Sequence, residues 1–299
     1  MDDDLLADLP GRRLDRESLA EHTWYRVGGP AQVFFTPADT ESLTETLRRA
    51  RQAGLPLLVL GQGANLLVSD QGFSGVVLSL ADCCAELEVE DNLLRCGAGA
   101  ELDAVVRRAE QAGLAGLADL SGIPGTVGGA LRMNAGAFGT EIGDRVAWVE
   151  GLDSDQRLLR LGRGEIGFGY RTARGLGELV LLRCELELAA GEPGELAARR
   201  KEILEQRAAK QPLACPSCGS VFKRPPGDYA GRLIEAAGCK GLRRGGAVVS
   251  DKHANFILNE DGATAADIRW LIDEVRQRVL EHSGVELQTE VILVGFADD

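Results

Sequence analysis

The apolar positions of this chain fall into helical and alternating runs that can be read in order. Between residues 39 and 53, Leu43, Leu47 and Ala50 recur at helical spacing, and Gly54 stands where a helix would end. The short apolar run at 57–60 predicts a buried strand, and Val76 and Val77 centre another. A second helix is expected over 101–112, closed by Gly113. Residues 146–152 and 157–161 predict a hairpin, and 179–188 alternate as a half-buried strand does. The run GEPGE at 191–195 predicts a linker, followed by a charged helix over 195–210. The clearest helical pattern lies at 264–281, where Ile268, Leu271, Ile272, Val275 and Val279 form one stripe. Thr264 and Asp267 have the spacing of a capping box there, and Gly284 sits just past the end. The final VELQTEVILVGF predicts a β-rich finish. Strands and helices are mixed without strict alternation, which favours an α+β fold over one doubly wound sheet.

Two stretches between these elements are rich in glycine. Residues 120–139, LSGIPGTVGGALRMNAGAFG, hold six glycines. Glycine has the most backbone freedom to lose on ordering, so such a run implies a close approach to the backbone. The other stretch, first in chain order, is Gly61-Gln62-Gly63-Ala64-Asn65-Leu66. It follows a strand, as a dinucleotide fingerprint does, but Leu66 takes the place of the third glycine and no helical pattern follows. No phosphate-loop motif of the GxxxxGK[ST] kind is present. Glycine loops of this type cradle phosphate through exposed N–H groups. Two of them could grip one bent pyrophosphate ligand, or they could be two structural turns.

Charge narrows the ligand class. The 299 residues carry 33 Lys and Arg against 46 Asp and Glu, a net charge of −13, which excludes general nucleic-acid binding. Locally the balance reverses: residues 199–252 hold 12 Lys and Arg against 5 Asp and Glu. That region predicts either an anionic small ligand or a basic helix face with basic turns. No apolar run approaches the roughly 20 residues of a membrane span. The start, MDDDLLADLP, is acidic, unlike a secretory signal. A soluble, cytoplasmic protein with no membrane and no obligate protein partner is therefore expected. Seven cysteines are an odd number for a disulfide framework. The lone pair Cys215-Pro-Ser-Cys218 lacks a second pair or nearby histidines, so reduced thiols and no bound metal are expected.

The motifs taken together resemble a known family. RVGGPA (26–31), LGQGANLLVSDQGFSGVVL (60–78), GIPGTVGGALRMNAGAFGTEI (122–142), FGYR (168–171), CGSVFKRP (218–225), AGRLIEAAGCKG (230–241) and VSDKHANFILN (249–259), with a terminal Glu-Val at 290–291, resemble the UDP-N-acetylenolpyruvoylglucosamine reductases. The resemblance implies a vanillyl-alcohol-oxidase-type FAD-binding domain over 21–190, in two subdomains of about 21–80 and 81–190. It implies an N-terminal extension at 1–20 and an α+β substrate-binding domain at 195–299. The compact 171–220 interval resembles the shorter form of the family, which lacks an inserted tyrosine loop. FAD, NADPH as electron donor and UDP-N-acetylglucosamine-enolpyruvate as substrate are what the resemblance implies.

Carried onto this sequence, the resemblance puts FAD contacts at Gly61, Gly63, Ala64, Asn65 and Leu66. In the second loop it puts them at Ile123, Pro124, Gly125, Thr126, Gly128, Gly129, Asn134 and Gly136. Relatives commonly have Gly-Gly-Ser where this chain has Gln62, Gly63 and Ala64, so one hydroxyl donor is missing. No histidine lies near either loop, so the FAD is expected to be non-covalent. Arg171 is implied as the cation that stabilises the substrate enolate, Ser220 as the proton donor, and Glu290 as the carboxyl assisting them. Glu290 stands in an apolar run, where burial would raise its pKa, and Glu286 is the nearby alternative. Tyr170, Lys210, Arg224, His253 and Asn255 are implied substrate contacts, with Arg224 replacing an asparagine of some relatives. The rival is an FAD oxidase of the same fold acting on another alcohol or sugar, which would share the glycine loops without needing Ser220.

Overall fold

The computed structural model describes residues 5–296 and divides into two compact units. The first comprises the chain up to Leu14, Phe34–Gly61 and Val76–Arg207; the second comprises Asp15–Val33, Gln62–Gly75 and the chain from Ala208 onward. This division differs from a single break at 191–195. Pro193 opens the helix Pro193–Lys210 instead of a linker, because proline is tolerated in a first helical turn where its missing N–H has no partner to lose. The segment around 62–75 joins the C-terminal part because Ile292–Val294 pairs in parallel with Leu66–Val68, a contact that sequence order does not reveal. Residues 1–4 and 297–299, the ends of the expected domains, lie outside the described residues.

The first unit is built on an antiparallel five-stranded sheet. Its order is Leu158–Gly162, Val146–Leu152, Val180–Glu187, Leu93–Gly97, Leu87–Glu90. The hairpin predicted at 146–161 pairs as expected, with Val149 opposite Leu161. Val180–Glu187 is central and so needs cover on both faces. Cys184 and Leu186 are fully buried, while Arg183 and Glu185 point the other way into ion pairs. Glu150 on the neighbouring strand is bound by Arg183 at 2.5 Å and by Arg160 at 2.7 Å. Burial pushes its carboxyl up, but the two guanidiniums outweigh this and hold it below its usual range. The helix Thr40–Gln52 forms where its pattern placed it, with Asp39 capping Ser42 at 2.7 Å.

The second unit packs the helices Ala230–Ala236 and Ala265–Ser283 with the strands Arg243–Arg244, Ala247–Val249 and Ile257–Asn259. The predicted stripe from Ile268 to Val279 is buried in a core that also takes Tyr25, Val27 and Leu67. Thr264 and Asp267 form the expected capping box. A second cap comes from far away: the Asp70 carboxylate accepts from the N–H groups of Ala265 and Ala266, both at 2.9 Å. The terminal run is less β-rich than its pattern predicts, because only Ile292–Val294 finds a partner strand. Among the described residues, no helix is long and apolar enough to cross a membrane.

Candidate active site

The second glycine stretch lies in the first unit and is not one continuous loop. Thr126 caps a six-residue helix, Val127–Arg132, which the glycines hid from pattern reading. Val127 and Gly128 donate to Ala100 O at 2.9 Å and Ala98 O at 2.8 Å, fixing the loop to the strand end beside it. Several of the glycines here and in the first loop stand close against the protein itself. A Cβ on Gly128 would stand 3.1 Å from Ala98 O, one on Gly136 2.6 Å from Thr140 O, and one on Gly61 2.5 Å from Thr126 Oγ1. Gly122, at φ +73°, faces Leu204 and Arg207, each 3.0 Å from the Cβ position. Burial lowers the pKa of the Arg207 guanidinium, and the sequence reading did not single this residue out. Gly129 is different: it is exposed, and nothing stands closer than 3.7 Å to its Cβ position. Close packing within the protein is therefore one reason for glycine at Gly61, Gly122, Gly128 and Gly136.

Asn134 follows, with φ +41° and a buried side chain. Its amide is committed inside the protein: Nδ2 donates to Glu141 Oε2 at 2.5 Å and Gly169 O at 3.1 Å, while Oδ1 accepts from Gly143 N at 3.0 Å. Gly169 ends the first strand of a short hairpin, Phe168–Gly169 with Thr172–Ala173, and Tyr170 and Arg171 form its tip. Arg171 has φ +53°, donates from Nη2 to Gly136 O at 3.3 Å, and lies over the ring of the exposed Tyr170 at 5.3 Å.

In the second unit, the first glycine loop, Ser220 and Glu290 are neighbours. Glu290 N–H donates to Val221 O at 2.7 Å, and Asn65 Nδ2 donates to Glu290 O at 2.9 Å. Asn255 is buried and reads the other side of the same turn. Its Oδ1 accepts from Phe222 N at 3.0 Å and its Nδ2 donates to Phe222 O at 2.9 Å. Asn65, Asn134 and Asn255 each also make amide contacts inside the protein: Asn65 with the backbone of Glu290, Asn134 with that of Gly169 and Gly143, and Asn255 with that of Phe222. Glu290 is half-buried and precedes the terminal strand, so it does not sit in a buried strand interior. The Cys218 thiol, pushed up to about 12 by burial, is 3.3 Å from Leu66 O and 3.6 Å from Gly63 O. Cys218 thereby ties the glycine loop to the turn before Ser220, and Gly219 between them has φ +73°.

The remaining candidates lie at the surface or near it. Lys210 is exposed at the end of its helix, and Arg224 lies 4.5 Å over the ring of exposed Tyr229. His253 meets Phe256 edge-on at 4.8 Å; burial, with Lys240 nearby, lowers its pKa. Its Nδ1 accepts from Asn255 N at 3.3 Å, which leaves the Nε2 of the neutral ring as a donor. Much of the basic stretch is locally neutralised: Arg199 pairs with Asp119, Arg232 with Asp228, Lys240 with Glu235 and Arg243 with Glu260. Among the described residues, no group of His, Cys, Asp and Glu could hold a metal ion.

Each loop by itself offers open backbone of the kind that holds a phosphate. In the second unit the N–H groups of Ala64 and Asn65 have no acceptor among the described residues, and in the first unit Gly129 leaves its side open. Residues 31–162 match the model of an FAD-binding domain. The crystal structure of a cholesterol oxidase from Brevibacterium sterolicum, at 15% identity and a TM-score of 0.50 over 61% of this chain and 39% of that one, shares the fold. The chain thus carries an FAD-binding domain within an α+β fold. Residues 211–294 match the C-terminal domain of UDP-N-acetylenolpyruvoylglucosamine reductase. The enzyme of that name from Paramagnetospirillum magneticum is 45% identical over 99% of this chain and 96% of its own. The crystal structure of the Thermus caldophilus enzyme has 36% identity and a TM-score of 0.81, covering 96% of this chain and 99% of that one. The chain belongs to the UDP-N-acetylenolpyruvoylglucosamine reductase family.

Proposed function

We propose that this chain reduces UDP-N-acetylglucosamine-enolpyruvate to UDP-N-acetylmuramate, a step in peptidoglycan precursor synthesis, with NADPH as electron donor and non-covalent FAD, in the cytoplasm. The observation that carries the reading is the bond from Glu290 N–H to Val221 O, which sets the two residues assigned to proton chemistry on adjoining backbone. FAD, when bound, supplies the two-electron relay between NADPH and the enolpyruvyl group. The chain's own residues then manage charge and protons on the substrate. Hydride addition at the terminal enolpyruvyl carbon builds negative charge at the neighbouring carbon and its carboxylate. The planar guanidinium fork of Arg171 suits a carboxylate, so it holds that charge. Ser220 gives its proton to the same carbon, and Lys223 close by in sequence lowers the cost of the alkoxide left behind. Glu290 donates a hydrogen bond to the developing enolate. Tyr170, Lys210, Arg224 and His253 are the contacts for the sugar and diphosphate. Gly63, Ala64, Asn65, Gly129 and their loop neighbours would hold the cofactor's pyrophosphate and ring edge.

The test separates the two half-reactions. The holoenzyme is reduced anaerobically with one equivalent of NADPH, and then UDP-N-acetylglucosamine-enolpyruvate is added. Return of the oxidised flavin band supports the reading. A flavin that NADPH reduces but the enolpyruvyl substrate leaves reduced would discard this substrate.

A further inference from the structure

We infer that Asn134 is a positioning residue for the reaction, acting through Arg171. This rests on the reading of Arg171 as the cation that meets the substrate's developing charge. The Arg171 hairpin tip is short and strained: two residues join the paired strands, and Arg171 itself sits at φ +53°, where an L residue with a long side chain is disfavoured. Such a conformation persists only where the surroundings over-determine it. Contacts from the segment 134–136 contribute to this. Asn134 Nδ2 holds the base of the hairpin through Gly169 O at 3.1 Å, and Gly136 O receives the Arg171 guanidinium at 3.3 Å.

The orientation of the Asn134 amide is set by its partners. Gly143 N–H fixes Oδ1 as the acceptor end, and Glu141 Oε2 with Gly169 O fix Nδ2 as the donor end. The carboxylate of Glu141 makes its bond charge-assisted, which stiffens the clamp. Asparagine is one of the few residues that both tolerates φ +41° and supplies two donors and an acceptor at short reach. Glycine at 134 would keep the backbone and lose the clamp. Aspartate would keep the size and turn the donor end into a carboxylate facing Glu141.

The experiment is a double-mutant cycle read on the two half-reactions of the holoenzyme. With the variant saturated with FAD, Asn134→Gly is expected to slow flavin reduction by NADPH less than it slows reoxidation. It is expected to slow reoxidation by the enolpyruvyl substrate on the order of 10- to 100-fold, the size of a misplacement of about 1 Å. In an Arg171→Ala background the same substitution is expected to change reoxidation by less than about twofold. Glu141→Gln, which can still offer an oxygen to Asn134 Nδ2, is expected to keep most of the rate. In the flavin-free protein, the Gly143 amide is expected to exchange faster with deuterium in Asn134→Gly than in the parent. Equal slowing in both backgrounds, or slowing of both half-reactions alike, overturns the inference and leaves the role of Arg171 standing. Reoxidation unimpaired in Arg171→Ala overturns the role of Arg171 and the inference with it. If Asn134→Gly yields no folded protein, Asn134→Asp takes its place in the cycle with the same expectations.

Discussion

Gly129→Ala separates the two uses of glycine in this chain. Gly129 lies in the helix Val127–Arg132, where alanine is preferred to glycine by about 0.5–1 kcal/mol because less backbone entropy is lost. The added carbon would stand 3.7 Å from Thr126 Oγ1, an ordinary contact, so nothing in the protein offsets that gain. The flavin-free variant should therefore be more stable by about 0.5–1 kcal/mol. If FAD lies against this residue, the methyl overpacks the complex, at roughly 1–3 kcal/mol. Affinity should then fall about 5- to 150-fold, since a factor of ten corresponds to about 1.4 kcal/mol. Urea unfolding of the apoprotein reads the first effect, and quenching of flavin fluorescence on titration reads the second. Gly128→Ala is the control: its Cβ would meet Ala98 O at 3.1 Å, so it should lose stability with or without flavin. FAD affinity unchanged within twofold in Gly129→Ala would remove this glycine from the cofactor site. A destabilised apoprotein would refute the open space ascribed to it.

Three further outcomes follow from the second unit and its neighbours. Asn255→Ala leaves Phe222 N and O without their buried partners and should cost about 2–5 kcal/mol in urea unfolding, with a loss below about 0.5 kcal/mol refuting the clamp. His253 has its pKa lowered in the fold, so the unfolded chain binds its proton more readily; stability should fall as pH drops below the unfolded value of about 6.5, and His253→Gln should flatten that slope in denaturation curves between pH 5 and 7. Cys218, pushed up to about 12 and buried, should resist iodoacetamide at pH 8 in the native protein by peptide mass mapping, whereas rapid labelling would show that its turn opens.

Local pattern was enough for the elements whose signals are local. The buried stripe Ile268–Leu271–Ile272–Val275–Val279 and its Thr264 cap were legible because a helix repeats every 3.6 residues and its cap lies three residues away. The glycine stretches and the FGYR and CGSVFK motifs likewise marked the segments that carry the proposed site. Other features had no local signal. Asp70 caps a helix that begins 195 residues later, and Asn65 reaches Glu290 across 225 residues. The helix Val127–Arg132 escaped notice because two of its six residues are glycine, so tertiary bonds from Ala98 and Ala100 override its propensity. By itself the sequence determined the α+β class, the main helices, the acidic charge and the motifs of a flavoenzyme family. Only the tertiary structure decided that glycines such as Gly128 and Gly136 stand against other backbone and that Asn65, Asn134 and Asn255 bond distant backbone. The physical reason is that a buried amide or a missing Cβ takes its meaning from whichever backbone stands opposite, and distant parts of the chain supply that backbone.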